Sequence, residues 1–447
     1  MMQKTGSIWL SAAKMTLFIV VIGIFFIGQI IFYEDTIFFY WGNYVVLLLY
    51  AVNLYFTSKL YNAFNFGSVD IQEIILSWAL CLIVTNTLQY FILSLIMDGL
   101  LPVRGFLLVL AAQMILALPL TYLIDTLYYR LNPAHSAIII YKNEQKAQEY
   151  RRTIEQHRKR FEISRIVSQE EPLEELYRSM EESGSVFFLD VSEKQMEPLL
   201  KYCFTNSKRA YILPTFSGVF INTAGIAWIS NAPMFLPKDP EPSIGARFIK
   251  RCMDIVISLL AIIAFSWLMI ITWLAVRLYD RGPAIYKQVR ITKGGKHFTI
   301  YKFRSMRPDA EDDGVPRLMA KGDSRVTPIG RFIRRTRIDE FPQLFNVLSG
   351  SMSLVGPRPE RPEIAKQYEE IYPNFSLRTK VKGGITGLAQ IYGRYNTAPD
   401  EKLFLDIMYI ETFSIWQDTK LLLQTIKPLF KLSSTEGIEN NNTTALK

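Results

Sequence analysis

One apolar stretch, Met253–Val276, decides more about the fold than any other, and it reads MDIVISLLAIIAFSWLMIITWLAV. It is long enough to cross the hydrocarbon layer of a membrane. Basic residues flank both ends, with Lys250 and Arg251 before it and Arg277 after it. Because cytoplasmic flanks carry the positive charge, a simple crossing would place one basic cluster outside. A re-entrant or interfacial helix keeps both clusters in the cytoplasm, with a bend expected at Ser266.

The composition is that of a membrane protein with folded domains. The chain has 447 residues, of which 50% are hydrophobic and 13% aromatic, and its formal net charge is +9. This excludes a disordered chain and predicts two or three folding units. The basic excess indicates cytoplasmic loops and a phosphate-bearing partner, and without a basic–aromatic recognition motif no nucleic-acid partner is expected. The cysteines Cys81, Cys203 and Cys252 predict neither a disulfide framework nor a zinc site.

Four further apolar runs lie in the first third of the chain, at about 15–33, 36–56, 74–97 and 106–124. Each is close to the length of a transmembrane helix, so residues 1–130 are predicted to form a four-helix transmembrane bundle. Lys4, Lys14 and Lys59 flank the first two runs, and Arg130 follows the fourth. The positive charges therefore place the N-terminus and everything after residue 130 in the cytoplasm. The simplest role for the bundle is that of an anchor.

Residues 131–235 alternate between predicted strands and helices. Strands are expected at about 137–141, 161–167, 186–190 and 209–213, with helices at 143–158, 171–182 and 193–205. This order predicts a parallel, Rossmann-like α/β sheet. The turn after the first strand, Lys142-Asn-Glu-Gln145, lacks the glycines that cradle a dinucleotide. A nicotinamide-dependent enzyme of sugar nucleotides is thus disfavoured, and a scaffolding or regulatory role is expected.

Prolines between residues 233 and 242 mark a predicted linker at 236–250, before a catalytic domain at 251–435 and a disordered tail at 436–447. Within residues 286–306 there are six basic residues and no acidic residue. Gly294-Gly295 predicts a turn, and Phe298–Phe303 predicts a strand. This basic turn and strand are suited either to lipid headgroups or to a diphosphate, because arginine forks make bidentate phosphate contacts.

The next feature is an acidic pair, Asp339-Glu340, preceded by the arginine-rich stretch that begins at Arg331. Pro342 is tolerated only in the first turn of a helix, so a helix is predicted to start near Asp339 and to end at Gly350. A helix N-terminus is suited to phosphate. The alternative is that Asp339 is only a helix cap and Glu340 only a first-turn acid.

The chain resembles the bacterial sugar transferases, the monotopic phosphoglycosyl transferases that prime surface polysaccharide synthesis. The matching stretches occur in the family's order, and they are Lys250-Arg-Cys-Met-Asp254, Tyr301-Lys-Phe-Arg-Ser-Met306, Ile338-Asp-Glu-Phe-Pro-Gln-Leu-Phe-Asn-Val-Leu348, Met352-Ser-Leu-Val-Gly-Pro-Arg-Pro359, Gly384-Ile-Thr-Gly-Leu-Ala-Gln390 and Tyr392-Gly-Arg394. The four-helix bundle and the glycine-poor α/β domain are similar to those of the longer members.

The resemblance implies a reaction and roles for individual residues. Asp339 is the implied nucleophile, which attacks a UDP-sugar and releases UMP before a polyprenyl phosphate takes the phosphosugar. Glu340 is implied to hold Mg²⁺ with help from Asp418. Implied phosphate or substrate contacts are Lys302, Arg304, Arg334, Arg358 and Arg394. The implied supporting residues are Asp254, Ser266 and Asp406, and Asp406 is expected to pair with an arginine. Ser266-Trp267 stands where family members usually have Ser-Pro.

The resemblance also implies a place in the cell. A multi-pass protein of the bacterial inner membrane, with its catalytic domain facing the cytoplasm, would initiate exopolysaccharide, capsule or O-antigen synthesis. The auxiliary domains suggest a homodimer. The alternative is a non-catalytic membrane scaffold or regulator of polysaccharide assembly. Which sugar is transferred stays open, because the motifs do not define the shape of the sugar pocket.

Overall fold

The fold was analysed in a computed structural model that describes residues 2–32, 41–155, 160–237, 241–307, 323–393 and 399–430. The chain divides into two compact units, Met1–Thr215 and Phe216–Lys447. The first unit contains the N-terminal helices and the parallel sheet. The second contains the long apolar helix and all of the later motifs, so the two units are described in turn.

The first unit begins with four helices, α1 (Met2–Phe32), α2 (Gly42–Leu60), α3 (Ile71–Ile96) and α4 (Val103–Leu131). Among the described residues, four helices are long and apolar enough to cross a membrane: α1 from Ile8, α3, α4, and the helix Ile244–Asp280 of the second unit. The helix α2 has 19 residues and is not among them, so its crossing stays a prediction.

Polar side chains join the N-terminal helices to one another. The Gln113 amide of α4 donates to the Tyr50 hydroxyl of α2 at 2.8 Å and to the Val21 carbonyl of α1 at 3.0 Å. Asn86 of α3 donates to the Gln113 side-chain oxygen at 2.7 Å. Hydrogen bonds between apolar helices hold them together where lipid offers no polar partner. All four helices of the bundle are thereby connected around Gln113 and its neighbours.

The rest of the first unit is an α/β fold. Its elements are β1 (His135–Tyr141), α5 (Glu144–Glu155), β2 (Phe161–Ser168), α6 (Leu173–Glu181), β3 (Ser185–Leu189), α7 (Glu193–Thr205) and β4 (Arg209–Ile212). The four strands are parallel, in the order β2-β1-β3-β4. Both sheet faces are covered, since Ile138 and Ile140 point into one apolar cluster and Ile139 into another. The central strands β1 and β3 are nearly continuous apolar runs, as expected for strands buried on both faces, whereas the edge strands β2 and β4 also carry exposed charged residues.

The second unit starts at α8 (Phe216–Thr223), which is followed by the largely exposed hairpin of β5 (Gly225–Ile229) and β6 (Ala232–Leu236). The prediction of a linker at 236–250 is wrong over its second half, because the long helix α9 begins at Ile244. Ser243 caps this helix, as its hydroxyl accepts a hydrogen bond from the Ala246 amide at 3.3 Å. Since Val219 of α8 packs into the core of the second unit, the α/β domain ends earlier than residue 235.

The remaining elements of the second unit surround two apolar clusters, one that includes Val347 and Met352 and one that includes Phe303 and Ile333. These elements are α9 (Ile244–Asp280), β7 (Ile285–Ile291), β8 (His297–Phe303), α10 (Pro328–Arg335), α11 (Gln343–Ser349), β9 (Ser353–Val355), α12 (Pro362–Ile371), β10 (Gly384–Thr386), α13 (Leu388–Tyr392), α14 (Pro399–Glu411), α15 (Ile415–Gln424) and α16 (Lys427–Phe430). The turn and the strand β8 were predicted, and the structure adds β7, which pairs with β8 as an antiparallel hairpin. Gly294 and Gly295 take the positive φ angles that the turn requires.

The helix α9 runs without interruption from Ile244 to Asp280, including the position at which a bend was expected. The Ser266 hydroxyl donates to the Ile263 carbonyl at 2.9 Å, a local bond that leaves the helix continuous. Without a proline, no backbone donor is lost at this point. Large apolar side chains remain exposed along the helix, including Phe248, Ile263 and Trp267 at 60–70%.

The second unit packs against α9 from its first turns to its last. Near the start, the Arg251 guanidinium donates to the carbonyls of Val347 and Leu348 at 2.6 and 2.8 Å. Near the end, Asp280 forms an ion pair with Arg304. A helix of 37 residues is roughly 55 Å long at about 1.5 Å per residue. The two ends of this long apolar helix are therefore held by the same compact domain.

Candidate active site

The acidic pair Asp339-Glu340 lies in a 3₁₀ turn, Ile338–Glu340, and not at the start of an α-helix as predicted. The α-helix α11 begins four residues later at Gln343, directly after Pro342, and ends at Gly350 as predicted. The turn is preceded by Arg337, whose φ of 58° is left-handed. Such a conformation is disfavoured for a non-glycine residue and is found mainly where the surrounding structure enforces it. It turns the chain sharply between α10 and the acidic pair.

Glu340 is surrounded by three cations. Its Oε1 atom accepts a hydrogen bond from Arg358 Nη2 at 2.7 Å and from Lys302 Nζ at 3.1 Å, and Arg337 Nη1 lies 3.9 Å from Oε2. Burial opposes ionisation of this carboxyl group. The charges of Arg358, Lys302 and Arg337 outweigh it and hold the pKa of Glu340 well below its ordinary value. Glu340 is therefore a carboxylate at neutral pH.

Asp339 has a different environment although it is the neighbouring residue. It is buried, and its Oδ1 atom has no hydrogen-bond partner among the described residues. Burial, followed by the negative charge of Glu340, raises the pKa of Asp339 to about 6, against the opposing charges of Lys302 and Arg334. Two adjacent carboxyl groups with pKa values moved apart are typical of groups with different chemical tasks. Asp339 combines a free oxygen atom with a weakly solvated charge, which suits a nucleophile.

The acidic pair lies beside the middle of the long apolar helix. The ring of Phe341, the residue after Glu340, is 5.3 Å from the ring of Phe265 in α9, measured between centroids. Phe265 is the neighbour of Ser266, near the centre of the apolar run. The structure therefore brings a charged reaction site next to the part of the domain that is suited to lipid.

The donor set at this site fits a hard divalent cation. Among the described residues no group of three acidic, histidine or cysteine side chains could enclose a metal ion. Mg²⁺, however, is commonly held by one or two carboxylates together with phosphate oxygens and water. The ionised Glu340 provides one such oxygen ligand, and the unpartnered Oδ1 of the neighbouring Asp339 leaves a polar atom with which a phosphate group could interact. The residues present therefore fit a cation that binds together with a phosphate substrate.

The predicted cationic residues differ in what they contact. Lys302 and Arg358 contact Glu340 directly. Arg334 influences the charge of Asp339, and its Nη1 atom lies 3.5 Å from the Ser305 hydroxyl. Arg304 is buried against Asp280 at the end of α9, so these contacts indicate a structural role and not the expected phosphate contact. Arg394 lies outside the described residues.

Asp418 takes part in a separate cluster. It is fully buried in α15, where it forms an ion pair with Lys250 of α9 and accepts a hydrogen bond from the Tyr409 hydroxyl at 2.8 Å. Neither partner contacts Glu340. The predicted role of Asp418 as a helper of the metal site is therefore replaced by a structural one, because Lys250 and Tyr409 already engage its two oxygen atoms.

Two other acids are supporting residues of the kind predicted. Asp254 of α9 accepts hydrogen bonds from the Ser353 hydroxyl at 2.8 Å and the Leu354 amide at 3.1 Å, which joins α9 to β9. Asp406 pairs with Arg378 at 2.7 Å, and this is the pairing with an arginine that the sequence led us to expect. Burial raises the pKa of Asp406 to about 6, while Arg378 opposes the shift.

Three arginines near the acidic pair or the Arg358 segment were not singled out as site residues in the sequence. Arg337 belongs to the arginine-rich stretch, and only its left-handed backbone and its proximity to Glu340 distinguish it from Arg331 or Arg335. Arg290 and Arg378 are distant from the acidic pair in sequence, yet both hold the segment that carries Arg358. A basic residue in a strand or turn does not reveal its partner, so no sequence signal identified them.

Comparison with known proteins extends this picture. A family model described as bacterial sugar transferase matches residues 245–432. Over 191 residues, 42% are identical to a UDP-N-acetylgalactosamine-undecaprenyl-phosphate N-acetylgalactosaminephosphotransferase of Aeromonas hydrophila, covering 42% of this chain and 45% of that protein. Over 217 residues, 41% are identical to a UDP-glucose:undecaprenyl-phosphate glucose-1-phosphate transferase of Klebsiella pneumoniae, covering 47% and 46%. The chain thus spans just under half the length of these two relatives.

A shorter relative is matched over most of its length. A UDP-glucose:undecaprenyl-phosphate glucose-1-phosphate transferase of Caulobacter vibrioides is 40% identical over 199 residues, which cover 43% of this chain and 74% of that protein. Together with the matching family model, this similarity shows that the chain belongs to the bacterial sugar transferase family. The matched region contains the whole acidic site, from α9 to α15.

Proposed function

We propose that this protein transfers a sugar 1-phosphate from a UDP-sugar to undecaprenyl phosphate, with release of UMP. The observation that carries the proposal is the pair of buried carboxyl groups with opposite pKa shifts, surrounded by cations and placed beside an apolar helix. Cations are needed for a diphosphate, a nucleophile for the transfer, and an apolar helix for a lipid acceptor. The two relatives are named for the same class of reaction with different sugars, so the sugar itself stays undefined.

Two displacements at one phosphorus atom account for the transfer. An Asp339 carboxylate oxygen attacks the sugar-bearing phosphate, the bond to the UMP oxygen breaks, and an acyl phosphate forms. An oxygen of undecaprenyl phosphate then attacks the same phosphorus, and the bond to Asp339 breaks. Division of one displacement into two is the general advantage of covalent catalysis. Each step exchanges one phosphorus–oxygen bond for another, so Asp339 is regenerated without a further reactant.

The surrounding residues bind and orient the diphosphate. Phosphoryl transfer depends on alignment of the reacting groups and on neutralisation of charge. Lys302, Arg334 and Arg337 provide positive charge around Asp339, and Arg358 fixes the carboxylate of Glu340. Glu340 would hold Mg²⁺ together with phosphate oxygens and water, which leaves the free oxygen of Asp339 available to attack, and the ion would neutralise charge on the phosphate oxygens when bound.

The placement of α9 supports access to a lipid from one side of the membrane. The helix is longer than the roughly 30 Å hydrocarbon layer, and one polar domain holds both of its ends. A perpendicular crossing would carry that domain, with its buried ion pairs, through the bilayer. We therefore place α9 in the cytoplasmic leaflet of the bacterial inner membrane. We also propose that α1 to α4 form the anchor and that the protein assembles as a homodimer.

Labelling of cysteines tests this placement of α9. Cys252 near the start of the helix is exposed, whereas Cys81 and Cys203 are buried. We expect a membrane-impermeant maleimide to label Cys252 in inside-out vesicles and not in right-side-out cells. The variant Arg281→Cys, made in a Cys252→Ser background, should label from that same side. Labelling of the two positions from opposite faces would show instead that α9 crosses the membrane.

The substrate class is tested by release of UMP. Purified protein in membranes containing undecaprenyl phosphate should release UMP from at least one of the UDP-linked galactose, glucose or acetamido sugars, in the presence of Mg²⁺. The lipid product should carry the sugar and both phosphates. A protein that binds no UDP-sugar and releases no UMP from any of them would contradict the proposal and favour a scaffold.

The dependence of the reaction on pH follows from the pKa of Asp339. Because the attacking group must be deprotonated, kcat/KM should be constant above a pH of about 6 and fall about tenfold per pH unit below it. The raised pKa makes this limb lie more than a unit above that of an ordinary aspartate. A profile of kcat/KM in Mg²⁺ that stays flat down to a pH of about 4.5 would exclude Asp339 as a buried nucleophile.

A further inference from the structure

The segment that carries Arg358 is fixed by an uninterrupted series of hydrogen bonds. Four consecutive backbone carbonyls each accept one bond: Pro357 from the Gly384 amide at 2.9 Å, Arg358 from Arg378 Nη2 at 2.8 Å, Pro359 from Arg290 Nη1 at 3.0 Å, and Glu360 from the Ile291 amide at 3.0 Å. The prolines on both sides of Arg358 further restrict the backbone. The four hydrogen bonds and the two prolines together fix the backbone of this segment.

Two of those four donors are arginine side chains, of which Arg378 is buried and Arg290 is partly buried. Arg378 is 6% exposed and pairs with Asp406, which is 1% exposed, at 2.7 Å, and its other nitrogen lies 3.7 Å from Glu360. Arg290 pairs with Glu360 at 3.6 Å. It also donates a hydrogen bond to the Gln288 side-chain oxygen at 2.7 Å, and this bond orients its guanidinium group. A buried ion pair often contributes little net stability compared with apolar side chains. The ion pair between Arg378 and Asp406 therefore needs an explanation other than its contribution to stability.

Geometry provides that explanation. The Nη2 atom of Arg378 carries two hydrogens, so it can contact the Arg358 carbonyl and the Asp406 carboxylate at the same time. Arg358 in turn donates to Glu340 at 2.7 Å. Among its contacts, Arg378 touches neither Asp339 nor Glu340, so any effect on the acidic pair passes through Arg358.

We propose that Arg378, held by Asp406, is a positioning residue that aims the guanidinium of Arg358 at Glu340. The proposal rests on the proposed function for its catalytic consequence. Arg290, which pairs with Glu360, donates to the Pro359 carbonyl and so restrains the residue that follows Arg358. Loss of a supporting contact behind a reactive group often lowers activity by about ten- to a hundred-fold.

The experiment combines the variants Arg378→Gln and Arg358→Gln with their double variant. Arg378→Gln should lower kcat by about ten- to a hundred-fold with a smaller change in KM. If Arg378 acts through Arg358, the double variant should be no slower than Arg358→Gln alone. Lys366→Gln, an exposed cation on α12, is the matched control and should leave both kcat and KM unchanged.

A second readout separates this proposal from the proposed function. The shifts in melting temperature of Arg378→Gln and Glu340→Gln should not add in the double variant, since the two side chains are coupled through Arg358. This result does not depend on any turnover, so absence of UMP release would defeat the function alone. Asp406→Asn should reproduce both effects more weakly if Arg378→Gln does not fold. Additive melting shifts, or multiplicative losses of kcat, would overturn the positioning role.

Discussion

Replacement of Asp339 by asparagine should abolish transfer, with turnover reduced by about 10⁴-fold or more. An amide of the same shape cannot form the acyl phosphate on which both displacements depend. Because Asp339 Oδ1 has no hydrogen-bond partner among the described residues, the substitution breaks no bond to that atom. The measurement is UMP release from the UDP-sugar that the wild-type protein uses, in membranes with undecaprenyl phosphate.

A matched variant shows that the loss is specific to this position. Glu363→Gln removes one exposed carboxylate from α12 in the same domain, and it should release UMP at the wild-type rate. The melting temperature of Asp339→Asn should stay close to that of the wild type. Turnover of Asp339→Asn within about tenfold of the wild-type rate would remove Asp339 from the role of nucleophile.

Glu340→Gln should reduce turnover by about 10²- to 10³-fold and raise the Mg²⁺ concentration needed for half-maximal rate. Glutamine keeps an acceptor for Arg358 and Lys302 but loses the charge that balances three cations. Those cations would then repel one another and their positions beside Asp339 would change. The measurement is a titration of the initial rate with Mg²⁺ for both proteins.

The combination of results for Glu340→Gln distinguishes two roles. A lower rate with an unchanged Mg²⁺ requirement would mean that Glu340 orients cations and does not hold the metal. Unchanged values for both would contradict any role of the acidic pair as a unit. Gln343→Asn, one turn further along in α11, changes a buried uncharged residue and serves as the control for local packing.

The local structure was largely predictable from the sequence, because its signals are local. The strands β1 to β4 were predicted within about two residues, since residues 137–141 and 186–189 are short apolar runs and strand-like segments alternate with charged helices. The end of α11 at Gly350 was predicted as well, because its φ of 86° requires a glycine. The start of that helix was not, since Asp339 and Glu340 belong to a 3₁₀ turn ahead of Pro342.

The partners of the charged residues were the main part that the sequence did not reveal. Arg304 lies in a matching motif, yet its guanidinium pairs with Asp280, and Asp418 pairs with Lys250, a residue far away in the sequence. Such pairs depend on how the helices pack, and a motif alone does not contain that information. The family resemblance indicated which residues matter, whereas packing determined which of them meet at Glu340.

The most direct test of the two-step transfer is to supply the UDP-sugar and Mg²⁺ without any polyprenyl phosphate. The protein should then release UMP in a burst of about one molecule per active site, and mass spectrometry should find a phosphosugar on the peptide that contains Asp339. Addition of undecaprenyl phosphate should remove the adduct and restore turnover. If UMP is released only when the lipid is present and no adduct forms on Asp339, the transfer is direct and the account given for Asp339 is wrong.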